Sequence, residues 1–285
     1  MDRWLTEKQT EGFQLQWRLK QTLYEEKTEF QELAVVELDD FGRTLLLDGV
    51  VQTTEGDEFI YHEMLAHVPL CAHPKPQQVL VIGGGDGGTV REVLRHPTVK
   101  QVELVEIDRR VVEICRQYLP HHTSGLDNPR ATIHYQDGIE FVKSKSAAYD
   151  VILVDAPDPV GPAEGLFNAD FYRSVHRALK DDGIMAVQGE SPVFNRPLIQ
   201  ELQRILSEMF AYAGLYLVSI PTYPGGLWSF SIASKVHKPE KPMRTLREQA
   251  ALRYYTPEVH QAAFVLPPWI EELLYKSKQS RSAVS

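Results

Sequence analysis

The feature that most constrains this chain is the run Gly83-Gly84-Gly85-Asp86-Gly87-Gly88. It follows the apolar stretch Val79-Leu80-Val81-Ile82 and precedes a helical stretch, Thr89–Arg95. Glycines at this density fit a tight strand-to-helix turn whose backbone lies close to a ligand. A plain turn is the alternative, but it does not need five glycines in six residues, because each one adds to the entropy lost on folding. The β-then-α alternation continues downstream. Strands are expected at Val102–Val105, Ala131–Tyr135, Val151–Val154 and Gly183–Gln188. Helices are expected at Arg110–Tyr118, Gly138–Ser144, Ala169–Leu179 and Leu198–Phe210. Apolar strands alternating with helices predict an α/β fold, a doubly wound, mainly parallel Rossmann-like sheet.

Upstream of the loop the pattern differs. Phe13, Leu15, Trp17 and Leu19 alternate with polar residues, a period of two. Leu33–Leu38, Thr44–Leu47 and Val50-Val51 follow, separated by Asp39-Asp40-Phe41-Gly42 and Asp48-Gly49. Strands joined by Gly/Asp turns predict a small antiparallel β domain over residues 1–56. A helix is expected over Asp57–Ala72, stopped by Pro74 and Pro76. The Rossmann-like catalytic domain is placed at 57–275, with a Lys/Pro/His linker at Lys235–Lys241 inside it. Residues 276–285 are Ser/Lys-rich and read as a flexible tail.

The chain has 285 residues, 43% of them hydrophobic, enough to bury a sizeable core. Its net charge is -9 and it has no Lys/Arg block, which argues against a nucleic-acid partner. Cys71 and Cys115 form no CxxC, so neither a zinc site nor a disulfide framework is implied. No apolar run reaches the ~18 residues of a membrane span. The first ten residues are too polar for a secretory signal. A cytoplasmic protein with no membrane partner is the expectation.

Carboxylates stand at the ends of the expected strands. Glu106 ends the second, where an acid binds a ribose hydroxyl pair in sheets of this kind. An adenosine-type ligand follows, and both nicotinamide and S-adenosylmethionine enzymes share the arrangement. Asp86, inside the glycine loop, would repel a pyrophosphate or carboxylate there and favour a cationic tail; its plainer role is to cap the next helix. Asp155 ends the fourth strand and faces the same crevice. With Asp158 it gives two carboxylates in a proline-stiffened loop, suited to a diamine. Solvated loop acids are the alternative. Asp137 ends the third strand and can either accept from an adenine amino group or cap a helix.

Together these residues resemble the spermidine synthase family of polyamine aminopropyltransferases. The resemblance rests on Gly83–Gly88, Glu106-Ile107-Asp108, Asp137-Gly138 and Asp155-x-x-Asp158-Pro159-x-Gly161-Pro162. Asp57-Glu58-Phe59-x-Tyr61, Gln188-Gly189-Glu190 and Ile220-Pro221-Thr222-Tyr223-Pro224-x-Gly226 extend it, as do Tyr254-Tyr255 and His260-x-Ala262 through Pro267. It implies an S-adenosylmethionine-methyltransferase-like sheet. The implied reaction moves an aminopropyl group from decarboxylated S-adenosylmethionine to putrescine, giving spermidine and methylthioadenosine. The donor is a co-substrate, with no permanently bound cofactor and no metal. Asp155 is implied as general base, with Tyr61 positioning the amine. Gln31, Gly83, Gly85, Asp86, Glu106, Asp137, Gly138 and Pro162 are implied for the nucleoside donor. His62, Asp86, Asp155, Asp158, Tyr223 and Gln188 are implied for the polyamine. The Asp155–Phe167 loop would close over the substrates. Homodimers or homotetramers are implied as well. One departure is Ala156-Pro157, where the family often carries two hydroxyl residues. Rival readings are transfer to cadaverine, agmatine or spermidine, an amine N-methyltransferase, a non-catalytic binding relative and a nicotinamide dehydrogenase.

Overall fold

The structure is a computed structural model that describes residues 3–157, 165–246 and 251–274. Asp158, Pro162 and the tail at 276–285 lie outside the described residues. Among the described residues no helix is long and apolar enough to cross a membrane.

The described residues form two sheets, with helices packed on the second. The first comprises β1 (Arg3–Thr10), β2 (Phe13–Lys27), β3 (Glu32–Leu38), β4 (Gly42–Leu47) and β5 (Val50–Thr54), in sequential antiparallel order. Asp48 and Gly49 both take positive φ, 49° and 78°, as a two-residue hairpin turn of the favoured handedness requires. β1 has no counterpart in the expected strands. Its one buried residue is Glu7, so its hydrophobic pattern does not mark it. β2 runs beyond the alternation at Phe13–Leu19, because register shifts near Leu19 and Thr22 break the period of two.

Next comes α1 (Glu58–Ala72), which is buried almost all round. Buried charges on such a helix must be paired. Glu63 accepts backbone N–H from Arg253, Tyr254 and Tyr255 at 2.7–2.9 Å. Asp57, at the start of α1, accepts from the Thr222 N–H and hydroxyl. These bonds hold the Tyr61 and His62 turn of α1 against the second sheet.

That sheet has β6 (Gln78–Gly83), β7 (Gln101–Glu106), β8 (Ala131–Tyr135), β9 (Tyr149–Asp155), β10 (Leu179–Gln188), β11 (Tyr212–Ser219) and β12 (Leu227–Ser234). The order is β11-β12-β10-β9-β6-β7-β8. β8, β7, β6, β9 and β10 are parallel, whereas β12 runs antiparallel to β10 and β11. The helices between strands are α2 (Gly88–Leu94), α3 (Arg109–Tyr118), α4 (Gly138–Lys143), α5 (Ala169–Ala178) and α6 (Arg196–Met209); α7 (Pro257–Ala263) comes later. Val79, Val81, Val102, Leu104, Val151 and Leu153 pack on one face with α1 and α2. Leu80, Ile82, Ile152 and Val154 pack on the other with α5 and α6. Both faces are therefore covered, which is why these strands read as continuous apolar runs. The two sheets are joined through α3, whose Val111, Ile114 and Cys115 pack with Leu33, Val35 and Leu45.

Strand order reverses at β6, which has β7 on one side and β9 on the other. Ligands of open α/β sheets bind at the carboxyl ends of strands, at such a switch point. Gly83 and Asp155, the last residues of β6 and β9, are paired across it.

Candidate active site

At that point the chain forms a cleft of about 400 Å³. The glycine loop is its floor. Gly83 has φ 78° and Gly84 φ 73°, values that favour glycine. Space is the stronger constraint. A Cβ on Gly83 would sit 2.2 Å from the Asp155 carbonyl oxygen, and one on Gly84 would sit 2.5 Å from Asp155 Oδ2. We therefore expect Gly83→Ala to destabilise the fold by about 3 kcal/mol or more. Thermal denaturation checks this; an unchanged Tm would contradict the close packing of β6 on β9.

One wall holds Glu106, and Asp108 is buried next to it. Glu106 accepts from the Gly85 N–H at 3.1 Å and from the Asp108 N–H at 2.8 Å. Each of its oxygens keeps a lone pair for another donor. Burial, with Asp108 and Asp86 nearby, raises its pKa to about 7 against those two backbone bonds. Asp108 caps α3 through the Arg110 N–H and accepts from Thr28 Oγ1 and Gln31 Nε2, at 2.8 and 3.1 Å. Gln31 thus reaches the cleft from the first sheet, fixed by a residue of the second. Asp137 is exposed and caps α4 by accepting from the Ile139 N–H at 2.7 Å. It lines the cleft along with Gly138.

Asp155 occupies the centre and is 9% exposed. Its Oδ1 accepts from Tyr61 Oη at 2.7 Å and its Oδ2 from Thr89 Oγ1 at 2.6 Å. Burial and the nearby Asp86 charge raise its pKa, while His62 and the two hydroxyls oppose the rise. Asp86 accepts at Oδ1 from the Gly88 N–H, 2.8 Å away, and faces His62 Nε2 at 3.2 Å. Burial raises the Asp86 carboxyl, but His62 more than offsets this and holds it at about 2. Asp86 thus contacts the start of α2 and also lines the cleft.

The remaining wall is aromatic. The Tyr223 ring lies 5.8 Å from Tyr61 and 4.6 Å from Trp228, and its hydroxyl donates to the Gln52 carbonyl at 2.8 Å. Gln188 is buried and donates to Glu190 Oε1 at 2.9 Å. The structure therefore brings together every described residue expected at the site: Gln31, Tyr61, His62, Gly83, Gly85, Asp86, Glu106, Asp137, Gly138, Asp155, Gln188 and Tyr223. Thr89, Trp228 and Glu7 were not expected, and Asp108 stood in the Glu106-Ile107-Asp108 motif without an assigned role. Thr89 stands one residue past the glycine run, and its small hydroxyl side chain was the only signal. Glu7 lines the cleft from a strand that was not expected.

Two groups among the described residues could in principle hold a metal: His62, Asp86 and Asp155, and His73, Asp182 and His237. In the first, both ring nitrogens of His62 already face carboxylates. In the second, His73 Nδ1 accepts from the Lys75 N–H at 3.1 Å. That bond puts the ring proton on Nε2, the atom facing Asp182, where a metal would need a lone pair.

Comparison with known proteins gives a consistent picture. Residues 58–242 match the spermine/spermidine synthase domain, and residues 3–55 match the spermidine synthase tetramerisation domain. A polyamine aminopropyltransferase of Moorella thermoacetica is 55% identical over 95% of this chain and 96% of its own. One of Desulforudis audaxviator is 48% identical over 95% and 99%. Among solved structures, a spermidine synthase in complex with the transition-state analogue AdoDATO superposes with a TM-score of 0.93, at 38% identity over 97% of each chain. The spermidine synthase of Thermotoga maritima gives a TM-score of 0.90 at 38% identity over 96% of each.

Proposed function

The chain belongs to the spermidine synthase family of polyamine aminopropyltransferases, and we propose that it carries the aminopropyl group of decarboxylated S-adenosylmethionine to putrescine, with Asp155 as general base. The observation that carries this reading is the Asp155 carboxylate, bonded to Tyr61 and Thr89 at the switch point. The transition-state analogue bound by the solved relative supports the donor class. The tetramerisation-domain match supports a homo-oligomer.

An alkylamine of pKa ~10.4 is protonated at pH 7, and freeing its lone pair costs about 4–5 kcal/mol. Asp155 takes that proton. Tyr61, fixed on Asp155, positions the amine. The amine nitrogen then attacks the carbon next to the sulfonium, a C–N bond forms, the C–S bond breaks, and methylthioadenosine leaves neutral. Glu106 holds the ribose, and Gln31, Asp137 and Gly138 surround the nucleoside. Asp86 takes the aminopropyl ammonium, while His62, Tyr223 and Gln188 line the polyamine path. Asp158 and Pro162 complete the set by their place in the motif. Charge-assisted hydrogen bonds at these carboxylates contribute roughly 1.5–3 kcal/mol each.

A panel of amines with the decarboxylated donor tests the acceptor. Putrescine is expected to give a kcat/KM about tenfold or more above cadaverine, because one methylene in a closed pocket is worth about 1–3 kcal/mol. Equal or better use of cadaverine, agmatine or spermidine would overturn putrescine and leave the donor assignment standing.

A further inference from the structure

The carboxylates that gather polyamines create a conflict. Each negative charge near an ammonium raises its pKa, yet the attacking amine must be neutral. His62 stands within this cluster. Its ring nitrogen and the oxygens of Asp86 and Asp155 all lie within 4.8 Å of one another.

The ring is clamped from both sides. His62 Nδ1 is 2.5 Å from Glu58 Oε2, one turn earlier on α1, and His62 Nε2 is 3.2 Å from Asp86 Oδ1. An imidazole whose two nitrogens both meet carboxylates donates from both, and only the imidazolium can do so. Glu58 is 3% exposed and is itself held by Arg91 Nη2 at 2.8 Å. Arg91 is tied in turn to Glu92, which faces His67 Nε2 at 3.1 Å. A buried chain of polar and charged groups thus runs between α1 and α2 to the cleft.

We infer that Glu58, braced by Arg91, is a positioning residue that keeps His62 cationic among the acidic groups at neutral pH, favouring the neutral, nucleophilic form of the acceptor amine. This rests on the amine-transfer reading above. The groups facing His62 are Glu58 on its own helix, Asp86 in the glycine loop and Asp155 at the end of β9. The buried His122 has its ring 6.0 Å away, and His121 Nε2 is 3.8 Å from Glu58 Oε1. Burial lowers the His122 pKa to about 4, so that ring is neutral near pH 7. Burial alone would also strip the His62 proton, but Asp86 and Glu58 together raise its pKa well above the ordinary histidine value. Since that folded pKa is raised, the cation is present at neutral pH and is lost only on the alkaline side. Without Glu58 its pKa falls, and the ring becomes neutral at a lower pH.

Glu58→Gln tests this in two ways. In the wild type, long-range 1H–15N spectra of the rings at pH 8 should show one imidazolium that disappears in His62→Gln. In Glu58→Gln the same ring should be neutral. The acidic limb of the kcat profile, where the rate rises as the amine loses its proton, should move about one unit to higher pH in Glu58→Gln, a roughly tenfold rate loss below the limb. His62→Gln should move the limb the same way, which covers a folding failure of the first variant. A merely structural role would lower the plateau and leave the limb in place. An imidazolium retained in Glu58→Gln, or a limb unmoved in folded variants, overturns the inference. Failure of the wild type to transfer any aminopropyl group would instead sink the functional reading, and the ring spectra would still decide the charge.

Discussion

Asp155→Asn is expected to lower kcat by about a thousandfold, within the range for loss of a positioned general base. On the proposed mechanism the carboxylate has two jobs that asparagine cannot share. Its oxygens accept from Tyr61 and Thr89, and an amide must turn its NH2 towards one of those hydroxyls. It also has no basic site for the amine proton. Glu106, Asp108 and Gln31 form a separate bonded cluster, so affinity for methylthioadenosine should stay within about threefold, since distant sites act independently. Steady-state kinetics and calorimetry on one preparation separate the two effects. Wild-type turnover would end the base assignment. The acid side follows the same logic. Burial and Asp86 raise the Asp155 pKa, so its ionised form is lost as pH falls, and at a higher pH than for an ordinary aspartate.

The second large effect is on the choice of donor. The wild type should bind decarboxylated S-adenosylmethionine about a hundredfold more tightly than S-adenosylmethionine itself. Two unit charges about 4 Å apart interact by about 4 kcal/mol at an effective dielectric of 20, and partial solvation trims this towards about 3 kcal/mol. On the proposed reading Asp86 supplies the repelling charge. Its side chain is 13% exposed and His62 keeps it ionised. Asp86→Asn should reduce the preference to about tenfold or less, because the carboxylate of S-adenosylmethionine is no longer repelled, while the lost ion pair with the ammonium weakens both nucleosides alike. Competition calorimetry with both nucleosides measures the ratio. Equal wild-type affinities would remove Asp86 from the account of donor selection.

Most of the catalytic cleft was legible because it is built from main-chain events. A glycine run after an apolar strand, and acids at strand ends, fix where backbone and carboxylates meet whatever the helices do in detail. Glu106, Asp155 and Asp86 were readable for that reason. The antiparallel edge formed by β11 and β12 was not assigned in advance. Tyr212–Ser219 carries Gly214, and it pairs along its whole length with β12, a partner that its own period does not name. β1 escaped because its buried residue is charged. Glu58 looked like one more acid in a helix, since its meaning depends on Arg91, 33 residues later, and on being buried. Thr89 was hidden similarly, as its Asp155 partner lies 66 residues away. Local pattern sets the frame, while long-range polar pairing must be seen in three dimensions.

The most direct test of the central claim is product analysis by mass spectrometry. The purified wild type is incubated with putrescine and, in parallel, with decarboxylated S-adenosylmethionine or S-adenosylmethionine. Spermidine and methylthioadenosine are expected in equal amounts from the decarboxylated donor, and no methylated amine from the other. N-methylputrescine from S-adenosylmethionine, or no aminopropyl gain with the decarboxylated donor, would contradict aminopropyl transfer.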